Sequence, residues 1–200
     1  YLDLSGNGMH IHISLVDDQG HNVFAGKNKE GSSLLRHAIG GLLATMEDAM
    51  AILAPHLNSY RRFQKNSHAP TKATWGYDNR LAAVRVPESS PEATRIEHRV
   101  AGADANPYLV LSVILAGIIY GIENKIDPGA PAEGNAYQSK AKTLPLTWEK
   151  AIKRFTRSDF IAEYLGNDFR HVFTACKKQE YEQIHTRISN IEYDAYLRSV

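Results

Sequence analysis

The sequence predicts an α+β fold, a curved and largely antiparallel sheet packed on helices. Three observations carry that expectation. Short segments alternate polar and apolar residues with the period of two that a half-buried strand requires. One long segment instead repeats apolar residues every three to four positions, as helices do, and a second is a continuous apolar run that reads as a buried helix. Finally, a polar face recurs on three of the short segments, each backed by an apolar face that the helices can cover.

The first strand lies in "GNGMHIHISL" (6–15), where His10, His12 and Ser14 share one face and Met9, Ile11, Ile13 and Leu15 the other. A turn through Asp17, Asp18 and Gly20 follows. The segment "GSSLLRHAIGGLLATMEDAMAILAP" reads as a helix, with Ser32 or Ser33 as cap and Pro55 as stop. Its Gly40-Gly41 pair costs on the order of 1 kcal/mol per residue against alanine, which implies a close neighbour. Residues 58–78 show no clean period and read as a long polar and aromatic loop. Strands are expected at "RLAAVRVP" (80–87) and "TRIEHRV" (94–100). Asn106 then caps a second helix with Pro107 at its first position, and "KIDPG" ends it. A loop spans 128–146, and two or three helices finish the chain, with a break at Gly166.

Composition narrows the class. With 23 Lys and Arg against 22 Asp and Glu, and no basic run longer than two, the chain lacks the footprint of a nucleic-acid binder. Its longest apolar run, "YLVLSVILAGII" (108–119), falls short of the ~20 residues that span a bilayer. Cys176 is the only cysteine, so no disulfide framework or thiolate zinc cluster can form within one chain. A cytoplasmic setting is expected. The chain opens on Tyr1, already at the edge of a motif, so residues 1–200 are expected to be a fragment whose upstream half is absent.

The charged strands point to chemistry. In "TRIEHRV", Arg95, Glu97 and Arg99 fall on one strand face; Arg80 and Arg85 bracket the preceding strand, and Arg61-Arg62 sit in the loop before it. Taken alone, this is an ordinary surface ladder of weak ion pairs. Joined to His10, His12 and Ser14 on a common face, it becomes a pocket for anions and a divalent metal. Arginine holds phosphate and carboxylate bidentately. One His and one Glu supply two metal ligands. A Lewis-acid metal among arginines suits phosphoryl transfer. A metal-dependent hydrolase, which would need further His or Asp ligands, and a catalytically silent scaffold are the competing classes.

The four segments "GNGMHIHISL", "NSYRRF", "NRLAAVRVP" and "RIEHRVAGADANPYL" occur in the order and spacing of the glutamine synthetase family. The chain resembles the C-terminal half of that family's catalytic domain over roughly residues 5–125. "RIEHRVAGADANPYLV" is most similar to the γ-glutamylpolyamine (γ-glutamylputrescine) synthetase branch.

That resemblance implies roles residue by residue. His10 and Glu97 match the metal ligands, with Mg²⁺ or Mn²⁺ as the ion. His12 and Ser14 fall where the family meets ATP. Gly6, Arg62 and Arg99 match the glutamate contacts; Arg80, Arg85 and Arg95 match the groups gripping nucleotide phosphates or the transferring phosphoryl group. The implied activity is ATP-dependent ligation of an amine or ammonium to the γ-carboxylate of glutamate through γ-glutamyl phosphate, in a ring homo-oligomer, expected to be dodecameric. Ammonia-using members carry a glutamate six positions beyond the arginine of N-S-Y-x-R. Here that position is His68, which implies an amine larger than ammonia or an altered deprotonation route. By the same resemblance, further metal-binding glutamates and a small N-terminal domain lie upstream, so residues 1–200 alone are expected to be inactive.

Overall fold

The computed structural model describes residues 6–26, 30–64 and 67–197. Strands β1 (Ile11–Ile13), β2 (Trp75–Tyr77), β3 (Val84–Val86) and β4 (Ile96–His98) form one sheet in the order β1-β4-β3-β2. β4 pairs antiparallel with both β1 and β3, whereas β2 runs parallel to β3. The expected α+β class with a largely antiparallel sheet is therefore present. The strands are shorter than the alternation suggested. Asn79 explains one boundary: its side chain accepts from Leu81 N and its carbonyl from Ala82 N, so the chain turns before it can enter β3.

The stretch read as a loop, 58–78, holds more structure than expected. A 3-10 turn covers Leu57–Arg62, and β2 lies near the end of the stretch. Trp75 has a glycine at its side and shows no alternation; it joins the sheet because its ring is buried and its carbonyl accepts from Ala132 N at 2.7 Å. Tertiary burial decides here, not local pattern.

Helix α1 (Ser33–Leu53) is capped by Ser32, whose side chain accepts from Leu35 N. Helix α2 (Pro107–Glu123) is capped by Asn106, which accepts from Tyr108 N and Leu109 N. Both caps are those the sequence indicates. The two helices cross where each presents a glycine pair. A Cβ on Gly41 would lie 2.1 Å from Gly117 O and 2.5 Å from Gly121 Cα; one on Gly121 would meet His37 O at 2.1 Å. Backbone rests on backbone, which only glycine permits.

Among the described residues, the C-terminal part forms four helices rather than two or three: α3 (Trp148–Thr156), α4 (Asp159–Leu165), α5 (Asn167–His185) and α6 (Asn190–Tyr196). Gly166, at φ +97°, makes the break between α4 and α5. Ser158 and Ser189 make the others, each accepting from the backbone N–H three residues on. The buried Asp48 of α1 ties this part to the core, bonding the Arg154 guanidinium and accepting from Ser158 Oγ at 2.7 Å. No helix among the described residues is long and apolar enough to cross a membrane.

The sheet separates two environments. His98 pairs with Ile11 and Val84 and points into the core with Ile96 and Val100 as neighbours in burial. Burial pushes its imidazole down to about 3, and its Nδ1 is buried without a partner.

Two outcomes follow. Alanine normally favours a helix over glycine by ~1 kcal/mol, yet Gly41→Ala is expected to lower the melting temperature, losing roughly 1–3 kcal/mol to overpacking. A higher melting temperature would show that α1 and α2 can part freely. Second, unfolded His98 takes up a proton near its ordinary pKa of 6.5 while the folded ring resists down to about 3. Stability should therefore be full above pH ~6.5 and fall by up to ~1.4 kcal/mol per pH unit on acidification between those values. Denaturant titrations of His98→Gln across this range should show a shallower acid limb; an unchanged slope would assign the acid sensitivity elsewhere.

Candidate active site

The register of the sheet builds the site. β1 and β4 pair His12 with Glu97, and β3 and β4 pair Arg85 with Glu97, so one rung runs His12–Glu97–Arg85 across three strands. Directly opposed residues share a face. Continued by one residue, the β1–β4 register sets His10 opposite Arg99 and Ser14 opposite Arg95. The polar face inferred from alternation is thus a contiguous patch.

Glu97 is its centre, only 3% exposed. Its Oε1 accepts from Arg99 Nη1 at 2.7 Å and its Oε2 from Arg85 Nη1 at 2.9 Å. His10 Nδ1 lies 3.1 Å from Oε1, and His12 Nε2 3.9 Å. Burial would raise the Glu97 pKa, but the hydrogen bonds and charges of Arg85 and Arg99 outweigh it and hold the carboxyl below its usual range. Burial, with Arg99 adding to it, pushes the His10 imidazole down, so the ring is neutral near pH 7. A neutral imidazole is the form that can ligate a metal.

The other arginines are held more often by backbone than by acids. Arg99 Nη2 donates to Arg80 O at 2.7 Å. Arg62 Nη2 donates to Arg99 O at 3.2 Å and Val100 O at 2.7 Å, and its stem packs against Gly6, where a Cβ would come within 3.0 Å of Arg62 Cγ. Arg95 donates to Ala93 O and, through Nε, to His12 Nδ1 at 3.2 Å. That bond makes Nδ1 the acceptor and leaves the proton of a neutral His12 on Nε2, facing Glu97. Arg80 is exposed beside a cleft of about 580 Å³ lined by Tyr77, Asp78, Asn79 and residues 131–134. Ser14 is exposed just beyond β1.

His68 stands apart. It is exposed with φ +59°, and no hydrogen bond or ion pair joins it to the Glu97 cluster among the described residues. Asp78 went unmarked in the sequence, although its Oδ1 accepts from Arg85 Nη2 at 2.6 Å and that bond lowers its pKa. Its position in "WGYDNR" became meaningful only once β2 was seen to run beside β3.

A divalent cation can be tested against this geometry. A hard carboxylate with a neutral imidazole suits Mg²⁺ or Mn²⁺. Glu97 and His10 fit as two ligands, and among the described residues no group of three or more His, Cys, Asp or Glu is set to hold an ion.

Known proteins resemble this chain along nearly its whole length. The model of the glutamine synthetase catalytic domain matches residues 1–196. The γ-glutamylputrescine synthetase PuuA of Escherichia coli K12 is 41% identical over 199 residues, covering 100% of this chain and 42% of that protein. The γ-glutamylethanolamide synthetase GlnA4 of Streptomyces coelicolor is 37% identical, over 84% of this chain and 36% of its own length. The solved structure of apo GmaS without ligand superposes with a TM-score of 0.88 at 30% identity, covering 99% of this chain and 46% of that one. A GmaS/ADP complex gives 0.87 at 29% identity, over 98% and 47%. The chain spans less than half the length of the curated relatives it matches. Its motifs fold onto one face and the family match runs nearly end to end, so the chain belongs to the glutamine synthetase family.

Proposed function

We propose that this chain contributes the arginine and metal-ligand face of an ATP-dependent ligase joining an amine to the γ-carboxylate of glutamate. The observation that carries this reading is the buried Glu97 carboxylate clamped between Arg85 and Arg99 beside neutral His10. Relatives described as γ-glutamylputrescine, γ-glutamylethanolamide and glutamate–isopropylamine ligases favour an alkylamine or diamine over ammonium.

In the first step a γ-carboxylate oxygen attacks the γ-phosphorus of ATP, and the bond to the β-phosphate oxygen breaks to release ADP. In the second the amine nitrogen attacks the acyl carbon, phosphate leaves, and the nitrogen loses a proton. Arg80, Arg85 and Arg95 orient the nucleotide phosphates and offset charge on the transferring group, with His12 and Ser14 toward the nucleotide. Arg62 and Arg99 orient glutamate, and Gly6 lets it approach the backbone. Mg²⁺ or Mn²⁺, held by Glu97 and His10 with further ligands, would neutralise phosphoryl oxygens. His68 matches the motif position at which ammonia-using members carry a glutamate; an imidazole there does not recruit ammonium as a carboxylate does. Assembly as a ring homo-oligomer and a cytoplasmic setting complete the proposal.

Phosphate release by the complete gene product with ATP, glutamate and Mg²⁺ tests the amine. Putrescine, ethanolamine or isopropylamine should support turnover well above ammonium, and His68→Glu should shift preference toward ammonium. Turnover on ammonium alone would make the protein an ammonia-using glutamine synthetase. Glu97→Gln keeps the shape but not the charge. It should reduce kcat at least about 100-fold, the usual cost of a transition-state electrostatic group, and raise the Mg²⁺ concentration needed for half-maximal rate. Unaltered metal dependence would remove Glu97 from the ligand set.

A further inference from the structure

We infer that Asp104, acting through Ser59, is a positioning residue for Arg62; this rests on the reading that Arg62 holds substrate glutamate. Arg62 is the last residue of the 3-10 turn Leu57–Arg62 that follows α1. A turn this short does not hold itself in place. Ser59 stabilises it from inside: it is 7% exposed, its Oγ accepts from His56 N at 3.0 Å, and the hydroxyl proton goes to Asp104 Oδ2 at 2.6 Å.

Asp104 lies between β4 and α2, in the "GADANPY" segment whose Asn106 caps α2. Its second oxygen rests over Gly102. A Cβ there would be 2.2 Å from Asp104 Oδ1 and 3.7 Å from Arg62 Nη1, so one glycine leaves room for both groups. Gly102 N also donates to Leu53 O at 2.9 Å, closing the same segment onto the end of α1.

Arg62 is therefore fixed at both ends to one short stretch of chain. The guanidinium binds the carbonyls of Arg99 and Val100; the turn that carries it binds Asp104. Burial works against the charged form of Arg62, and the Asp104 carboxylate is the acid that counters it. No ion pair within 4.0 Å joins the two among the described residues, so Asp104 supports the cation without neutralising it by contact. Nη2 is committed to the backbone carbonyls, and among the described residues Nη1 makes no hydrogen bond, which leaves it to donate to a carboxylate ligand.

The test is steady-state kinetics on the complete gene product, with KM for glutamate, KM for ATP and kcat measured for Asp104→Ala, Ser59→Ala, the double variant, Asp104→Asn and Arg62→Lys. Breaking the latch from either side should raise the KM for glutamate about tenfold, the scale of one charge-assisted hydrogen bond, with kcat and the KM for ATP within about twofold. The double variant should be no worse than Asp104→Ala, because one interaction is removed once. Asp104→Asn, whose amide oxygen still accepts from Ser59, should recover most of the affinity. If both KM values rise and kcat falls together in Ser59→Ala and Asp104→Ala, the positioning role is wrong; it is equally wrong if glutamate KM is unmoved in both while Arg62→Lys raises it, and the Arg62 assignment then stands. If Arg62→Lys also leaves glutamate KM unchanged, the Arg62 assignment fails and the latch with it. Should Asp104→Ala not fold, Ser59→Ala decides alone.

Discussion

Glu97 is a buried carboxylate whose oxygens take hydrogen bonds from Arg99 at 2.7 Å and Arg85 at 2.9 Å, with His10 within 3.1 Å. Moving such a group out of water is costly unless every lone pair is met. The strand register supplies the first partners: Arg85 stands opposite Glu97 on β3 and Arg99 follows two residues on in β4's own strand direction, so both donors arrive with the backbone. A slip of one residue would turn Glu97 into the core and His98 into the site. His98 could not replace it, because an imidazole carries no carboxylate to accept from two arginines. Correct pairing of three short strands and correct assembly of the charged cluster are thus one event.

Three-residue strands cannot hold that register alone. The support comes from behind the sheet, where α1 and α2 cross with backbone against backbone at Gly41, Gly117 and Gly121. Close crossing brings the apolar faces of both helices into one core with Trp75, Val84 and Ile96. The same helices deliver functional segments at their ends. α1 leads into the turn bearing Arg62, and the segment after β4 leads into α2 while supplying the carbonyls and Asp104 that hold Arg62. Packing that fixes the crossing therefore also fixes the distance between these two segments.

Much of this was legible in the sequence for a physical reason. Alternation in "MHIHIS" and "RIEHR" assigns faces without knowledge of the partner strand, and the structure pairs those two segments. Caps at Ser32 and Asn106 and the break at Gly166 are local chemistry, readable over four residues. What escaped depends on distant groups. β2 exists because Trp75 is buried and Ala132 meets its carbonyl. The count of C-terminal helices depended on Ser158 and Ser189, ordinary residues until they are seen as caps. Asp78 and Asp104 carry no periodic signal; each matters through one side chain far along the chain, Arg85 and Ser59 respectively. His68 is legible only as a substitution in a motif, since no hydrogen bond or ion pair ties it to the cluster among the described residues.

The choice of acceptors explains how so many arginines coexist. Among the described residues, the hydrogen-bonded carboxylates near Arg62, Arg80, Arg85, Arg95 and Arg99 include Asp78, Glu97 and Asp104, with His10 neutral. Had each guanidinium been matched by an acid, the site would be rigid but electrically spent, offering an incoming anion little gain. Carbonyl oxygens solve this differently. Arg62 is held by the carbonyls of Arg99 and Val100, Arg95 by that of Ala93, and Arg99 in part by that of Arg80. A carbonyl fixes the guanidinium plane as a hydrogen-bond acceptor but carries no net charge, so orientation is obtained while positive potential is kept. Donors fixed before the ligand arrives need no reorganisation when negative charge develops, which is the property phosphoryl transfer demands of a protein surface.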